Sequence, residues 1–353
     1  MKPAPFARTV RFVLSFAAVL SASTTIARAD SREAFLKLID RPKVDLAVKL
    51  EDREPHDGLA EIRFSFAADA QQRVPGIILK PQHATGRLPV VITLHGTGGT
   101  KEGMQPLMHD LAARGFLAVA IDARYHGART KAGKGSVEYQ QAILRAWREG
   151  ASPGTEHEHP FYYDTVWDVM RLVDYLQTRD DVDASRIGLI GISKGGIETY
   201  LTAAADPRIA VAVPCIGVQS FAWELQHDDW KGRIGTIQTA FDDAAKEAGV
   251  AHPDAAFVQA FYNRVVPGIA GEFDGPAMLP LIAPRPLLVI NGDSDAHTPL
   301  PSVKLATDAA ATAYHAARAD DHLVLRIEEK TAHKVTPESE KEAVEWFVRW
   351  LKP

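Results

Sequence analysis

The sequence predicts an α/β fold: a mostly parallel central sheet flanked by helices, with helical excursions over one end. Three observations carry this. Short, continuous apolar runs recur from residue 88 onward, each followed by a helical pattern; alternating apolar–polar stretches precede them; and two long segments break the rhythm. Continuous apolar runs of strand length belong to strands buried on both faces, as in a parallel sheet between two helical layers.

Residues 30–90 hold an opening helix and two alternating stretches, Ala60–Phe66 and Val74–Leu79. Alternation suggests half-buried, antiparallel strands at a sheet edge. Buried strands are predicted at Leu88–Leu94, Phe116–Ile121, Ile187–Ile192, Ile209–Cys215 and Pro286–Ile290, with a further strand at Leu323–Ile327. Between them, Val166, Val169, Met170, Val173 and Leu176 keep helical spacing along one face. The last helix opens with Thr336 as N-cap and Pro337 in its first turn, and carries the stripe Ala343, Val344, Phe347, Val348 and Leu351.

The two segments outside the pattern run from about 125 to 163 and from about 217 to 283. The first includes Gly133–Ser136 and the Gly150–His159 loop. The second is helical in pattern and rich in aromatics (Phe221, Trp223, Trp230, Phe257, Phe261, Tyr262). Long excursions in compact domains are usually functional. They read as cap-like insertions within one domain over residues 30–353, with simple packing on the sheet edge as the plainer alternative.

The chain has 353 residues, 46% hydrophobic and 24% charged, enough for one large enzyme-like core. Cys215 is the only cysteine and sits in an apolar run, so it reads as a packing residue and no intramolecular disulfide forms. Lys2, Arg8 and Arg11 precede the apolar stretch Phe12–Ala22, which Ala27-Arg28-Ala29 follows. That order describes a signal peptide over residues 1–29, cleaved near Ala29, and an exported product, periplasmic or secreted. Its 11 apolar-type residues fall short of the ~20 that span a bilayer; an uncleaved anchor is the alternative. Cleavage would take the formal net charge from −5 to −9 by removing Lys2, Arg8, Arg11 and Arg28. An acidic chain without basic clusters argues against nucleic acid and stable membrane insertion, leaving a small-molecule partner. The oligomeric state leaves no signal. His157-Glu158-His159, at i,i+2 spacing on a polar loop, reads as solvated residues, not a metal site.

The chemistry begins at Gly191-Ile192-Ser193-Lys194-Gly195, between a strand (Arg186 onward) and a helix. A serine on a sharp strand-to-helix corner needs small neighbours at −2 and +2, and its Oγ then projects above the carboxyl end of the sheet. The glycine-rich run His95-Gly96-Thr97-Gly98-Gly99 directly follows another predicted strand. Acyl transfer builds negative charge on a carbonyl oxygen, which two backbone N–H groups must meet. The amides of Lys194 and Thr97 are the expected donors. The loop lacks G-x-G-x-x-G spacing, which argues against a dinucleotide site. His333, between the last strand and the last helix, is the expected base; His322 precedes that strand and belongs at the opposite end of the sheet. Asp293 and Asp295 both follow a buried strand, and either carboxylate suits the histidine. Asp295 is preferred because Asp293 sits in the turn, where Asp commonly bonds backbone.

The chain order Ser193, Asp295, His333 is that of the α/β-hydrolases. Together with Ile121-Asp-Ala-Arg-Tyr-His-Gly127 and His333-Lys-Val-Thr336, the motifs resemble the dienelactone-hydrolase and acetyl-xylan-esterase branch, over roughly residues 60–353. Dienelactone hydrolases proper use a cysteine where this chain has Ser193, and the acetyl esterases usually carry Gln where it has Lys194. The resemblance implies an exported serine hydrolase acting on carboxylic esters, acetyl esters of carbohydrates among them, by a Ser-His-Asp acyl-enzyme mechanism without metal or organic cofactor. His95, Arg124, His126, Arg129 and Trp223 are candidate substrate contacts. Of these, Arg124, His126 and Arg129, with Lys194, suggest a cationic rim, against the alternative of internal ion pairs. A peptidase or amidase related to prolyl oligopeptidases and a catalytically silent binding fold are the competing functions.

Overall fold

The computed structural model describes residues 31–131, 136–150 and 157–352. The expected signal peptide, residues 132–135 and residues 151–156 of the Gly150–His159 loop lie outside the described residues. A helix over residues 31–39 (α1) leads into three strands, β1 (Lys49–Asp52), β2 (Leu59–Ala67) and β3 (Arg73–Pro81). Next come β4 (Leu88–Leu94), α2 (Gln105–Ala113), β5 (Leu117–Ile121), α3 (Val137–Glu149), α4 (Tyr163–Leu176), β6 (Val182–Ile192), α5 (Lys194–Ala205) and β7 (Ile209–Cys215). Helices then run without a strand: α6 (Phe221–Gln226), α7 (Lys231–Gly235), α8 (Gln238–Glu247), α9 (Ala255–Val265) and α10 (Gly275–Met278). The pattern resumes with β8 (Leu287–Gly292), α11 (Leu300–Ala316), β9 (Leu323–Glu328) and α12 (Pro337–Leu351).

Among the described residues nine strands form one sheet, ordered β1-β2-β3-β5-β4-β6-β7-β8-β9. Pairing is antiparallel through β3/β5 and parallel beyond it. The central strands are apolar throughout because both faces are covered. Along β5, Leu117, Val119 and Ile121 join one apolar cluster while Ala118 and Ala120 join the other, the period of two that a strand imposes. The first cluster takes residues of α1 and α3–α11, the second residues of α2 and α12. At ~1.5–3 kcal/mol for each fully buried aliphatic side chain, this double cover is what selects strands at these runs.

Two elements differ from expectation. β1, Lys-Leu-Glu-Asp, is exposed at every position and has no apolar face for a pattern to reveal. β3 was expected at an edge but lies inside the sheet between β2 and β5, and Gly76–Leu79 is buried on both faces. The N-cap of α12 forms as expected, the Thr336 hydroxyl accepting the Ser339 N–H at 3.3 Å.

Register aligns the carboxyl ends of the parallel strands. Leu94 of β4 pairs with Gly191 of β6, Ile192 with Cys215 of β7, and Gly292 of β8 with Glu328 of β9. The loops after these strands therefore emerge along one rim, where open α/β sheets assemble their sites. The two excursions pack on each other. Trp147 of α3 lies 5.7 Å from Phe257 and 5.8 Å from Phe261, and Phe241 of α8 meets both α9 rings. Phe221, Trp230, Phe261 and Tyr262 are buried; most of the aromatic richness of 217–283 is core.

Candidate active site

Ser193 links β6 to α5 with φ 57° and ψ −115°. A side chain there costs ~1–3 kcal/mol unless its surroundings hold it. Two hydrogen bonds do so: its N–H donates to the Cys215 carbonyl at 2.9 Å, and its carbonyl accepts the Ile197 N–H at 3.1 Å. Steric demand explains the flanking glycines. A Cβ on Gly191 would stand 2.1 Å from the Gly195 carbonyl oxygen, and one on Gly195 2.5 Å from that of Leu94.

His333, on the β9–α12 loop, brings Nε2 to 2.7 Å from Ser193 Oγ and Nδ1 to 2.7 Å from Asp295 Oδ2. Asp295 is buried, while Ser193 and His333 are half-buried. Its Oδ1 accepts the His297 N–H at 2.8 Å and its Oδ2 the Thr298 hydroxyl at 2.7 Å. Burial pushes the carboxyl up, but the hydrogen bonds from His333 and Thr298, the His333 charge and the His297 amide outweigh it and hold Asp295 below the usual range. Asp293 instead accepts the Thr331 N–H and the Ser294 hydroxyl. His322 bonds the Pro284 carbonyl, ahead of β8 and away from this rim.

The loop after β4 abuts the elbow, where a Cβ on Gly96 would stand 3.4 Å from Ser193 Cβ. Thr97 follows it, half-buried. Lys194 is the first residue of α5, where a helix has no internal acceptor for an amide. His95 is a correction to its expected substrate contact. It is buried, its Nδ1 donates to the Gly96 carbonyl at 2.8 Å and its Nε2 accepts the Ala123 N–H at 3.1 Å. Burial, then the nearby Lys194 charge, push it down to about 4, so it stays neutral and splints the loop to the end of β5. Sequence reasoning missed Lys101 and Asp122, paired at 2.7 Å beneath the same loop. It also missed Thr298 and His297, whose ring stacks on His333 at 4.4 Å. A polar residue two or three places after Asp295 was the available signal.

The cationic rim does not form. Arg124 is 1% exposed, donating to Asp168 and, at 2.7 Å and 3.1 Å, to Asp69 and Glu158. Arg129 donates to Asp168 at 2.6 Å and to Gln72 at 2.8 Å. His126 is fully buried with Nδ1 on the Arg124 carbonyl. The Lys194 side chain is also buried, paired with Glu198 one helical turn on, with Tyr139 beside it. Burial pushes Glu198 up to about 7 against that pairing. Glu158, expected as a solvated loop residue, is a counter-ion to Arg124 and accepts the Tyr125 hydroxyl. Trp223 is half-buried in α6, its ring stacked on His227. The metal-type cluster found among the described residues, Asp295, His297 and His333, coincides with the relay, which already engages Asp295 and His333.

Sheet order, aligned strand ends and the Ser193–His333–Asp295 geometry define an α/β-hydrolase fold with a serine, histidine and aspartate in hydrogen-bond series. The acetyl xylan esterase (AXE1) family model matches residues 33–224, over half of the chain. The chain belongs to that family and is a carboxylic-ester hydrolase. A second model, glucuronyl esterase of fungi, matches residues 154–317. YtaP of Bacillus subtilis (strain 168) is 26% identical over 343 residues, spanning 92% of this chain and 100% of that protein. Acetyl xylan esterase 1 from Thermoanaerobacterium sp. JW/SL YS485 shares the fold with TM-score 0.64 and 17% identity, over 91% of this chain and 93% of that one. A glucuronoyl esterase from Solibacter usitatus does so with TM-score 0.60 and 15% identity, over 90% and 91%.

Proposed function

We propose that this chain is an exported serine hydrolase that removes acyl groups, acetyl esters of carbohydrates among them, through an acyl-enzyme on Ser193. The observation that carries the reading is the pair of 2.7 Å contacts joining Ser193 Oγ, His333 and Asp295. His333 Nε2 takes the Oγ proton as Oγ attacks the ester carbonyl, and the Asp295 carboxylate stabilises the resulting imidazolium. The Thr97 and Lys194 amides receive the oxyanion. Collapse expels the alcohol, which takes the proton from His333; water then attacks the acyl-enzyme with His333 again as base. The carbohydrate acetate follows the family and its acetyl xylan relative, and export follows the basic–apolar–A-x-A order of residues 1–29. The helices of the two excursions serve as cover for the acyl site.

The test is turnover of p-nitrophenyl acetate and acetylated xylo-oligosaccharides, with fluorophosphonate labelling of Ser193. Ser193→Ala is expected to lower kcat by ~10⁴-fold or more and abolish labelling. Absence of turnover and labelling in the wild type, or an unchanged Ser193→Ala enzyme, overturns the serine mechanism. Preference for aminoacyl amides over esters overturns the substrate class.

A further inference from the structure

Among the buried arginines of the described residues, Arg233 differs from Arg124 in its partners. Arg233, in α7, is 1% exposed, yet its recorded hydrogen bonds go to neutral oxygens: Nε and Nη2 to Gln219 Oε1 at 3.1 Å and 2.6 Å, and Nη2 to the His297 carbonyl at 3.0 Å. Arg124 and Arg129, by contrast, are paired with carboxylates. The Arg233 charge also faces Glu224, whose ionised form it favours and to which Gln219 connects it, Nε2 donating to Glu224 Oε2 at 3.5 Å. Its direct contact with the His297 carbonyl ties that buried network to the turn after β8. The residue before Arg233 makes a second contact with the same turn. A Cβ on Gly232 would stand 1.8 Å from the Ala296 carbonyl oxygen and 3.2 Å from His297 Cα.

That turn carries the acid of the relay. Its 297 and 298 amides donate to Asp295 Oδ1 at 2.8 Å and 3.3 Å, and the His297 ring lies on His333. Asp295 holds the turn from one side and α7 from the other. We propose that Gly232 and Arg233 are positioning residues: the helical excursion clamps the Ala296–His297 turn and so sets the Asp295–His333 geometry for proton transfer. The clamp has a chemical as well as a mechanical side. His297 Nδ1 lies 3.8 Å from Asp295 Oδ1, so a protonated His297 would compete with His333 for the carboxylate. Burial, then the charges of His333 and Arg233, oppose that protonation, with Asp295 favouring it.

The proposal rests on the serine-hydrolase reading, and one data set separates the two. Wild type, Ser193→Ala, Arg233→Met, Arg233→Lys, Gly232→Ala and Gln219→Leu are compared for kcat, KM and the pH profile of kcat/KM on p-nitrophenyl acetate. The expected result for Arg233→Met and Gly232→Ala is a kcat at least 10-fold lower, KM within 2-fold and a displaced acid limb, with part of kcat restored in Arg233→Lys. Gln219→Leu, which removes the acceptor aiming the guanidinium but leaves α7 intact, is expected to show the same signature more weakly and decides the case if the α7 variants do not fold. An active wild type whose folded variants keep wild-type kcat and pH profile, or lose only KM or thermal stability, overturns the clamp. An inactive wild type overturns the serine reading instead.

Discussion

Two polar clusters sit past strand ends of the same sheet and have opposite fates. The loops after β6, β8 and β9 bring together Ser193, Asp295 and His333; the loop after β5 brings Arg124, His126 and Arg129 against Asp168. The first keeps Ser193 and His333 half-buried, with hydrogen bonds running from Asp295 through His333 to Ser193 Oγ. In the second the Arg124, Arg129 and Asp168 side chains are at most 5% exposed and matched by opposite charge. Residue type does not separate them. Burial and partners do, because a group that must change protonation or bond state needs open valence, whereas a buried charge needs its valence filled.

The comparison breaks if the two clusters respond alike to substitution. Asp295→Asn is expected to lower kcat on p-nitrophenyl acetate by ~10⁴-fold while the urea midpoint stays near wild type, since amide and carboxylate have the same shape. Arg124→Met should do the reverse. It leaves buried Asp168 with Arg129 alone and takes a partner from Asp69 and Glu158, costing up to about 3–5 kcal/mol of stability, read from urea unfolding, with little change in kcat of the folded enzyme. A large loss of kcat in folded Arg124→Met would move Arg124 into the catalytic cluster.

A smaller effect sharpens the second cluster. Burial, then the Lys194 and His95 charges, push His126 down to about 2, against ~6.5 in an unfolded chain. Between those values the unfolded chain binds a proton that the folded protein refuses. The contribution is therefore intact above about pH 6.5 and is lost as pH falls, by up to ~1.4 kcal/mol per pH unit. His126→Gln should flatten the fall in urea stability between pH 6 and pH 4 by about that slope. An unchanged slope would mean that the ring reaches solvent.

Legibility followed how local each constraint was. Apolar runs marked β4 to β8 within a residue or two at most ends, the start of β6 apart, because burial on both faces leaves little choice of residue. β9, half-buried at the edge, was marked by its apolar run as well. The Ser193 elbow was legible because strand and helix cross so closely that only glycine fits at 191 and 195. β1 has no buried face, so nothing in Lys49–Asp52 announced it. Thr298 lies three residues after the Asp295 it bonds, a local signal; the His297–His333 stack and the Lys101–Asp122 pair join residues distant in sequence, and no motif connects them.

The sequence by itself determined the layered α/β core, the serine corner and the order in which serine, aspartate and histidine occur, since periodicity, glycine spacing and chain order survive without coordinates. Only the tertiary structure decided where the charges went. Arg124 and Arg129 follow β5 at the rim, yet both turn to Asp168 on α4 and are buried there. That pairing acts through space between the loop after β5 and a helix distant in sequence, which no reading along the chain contains.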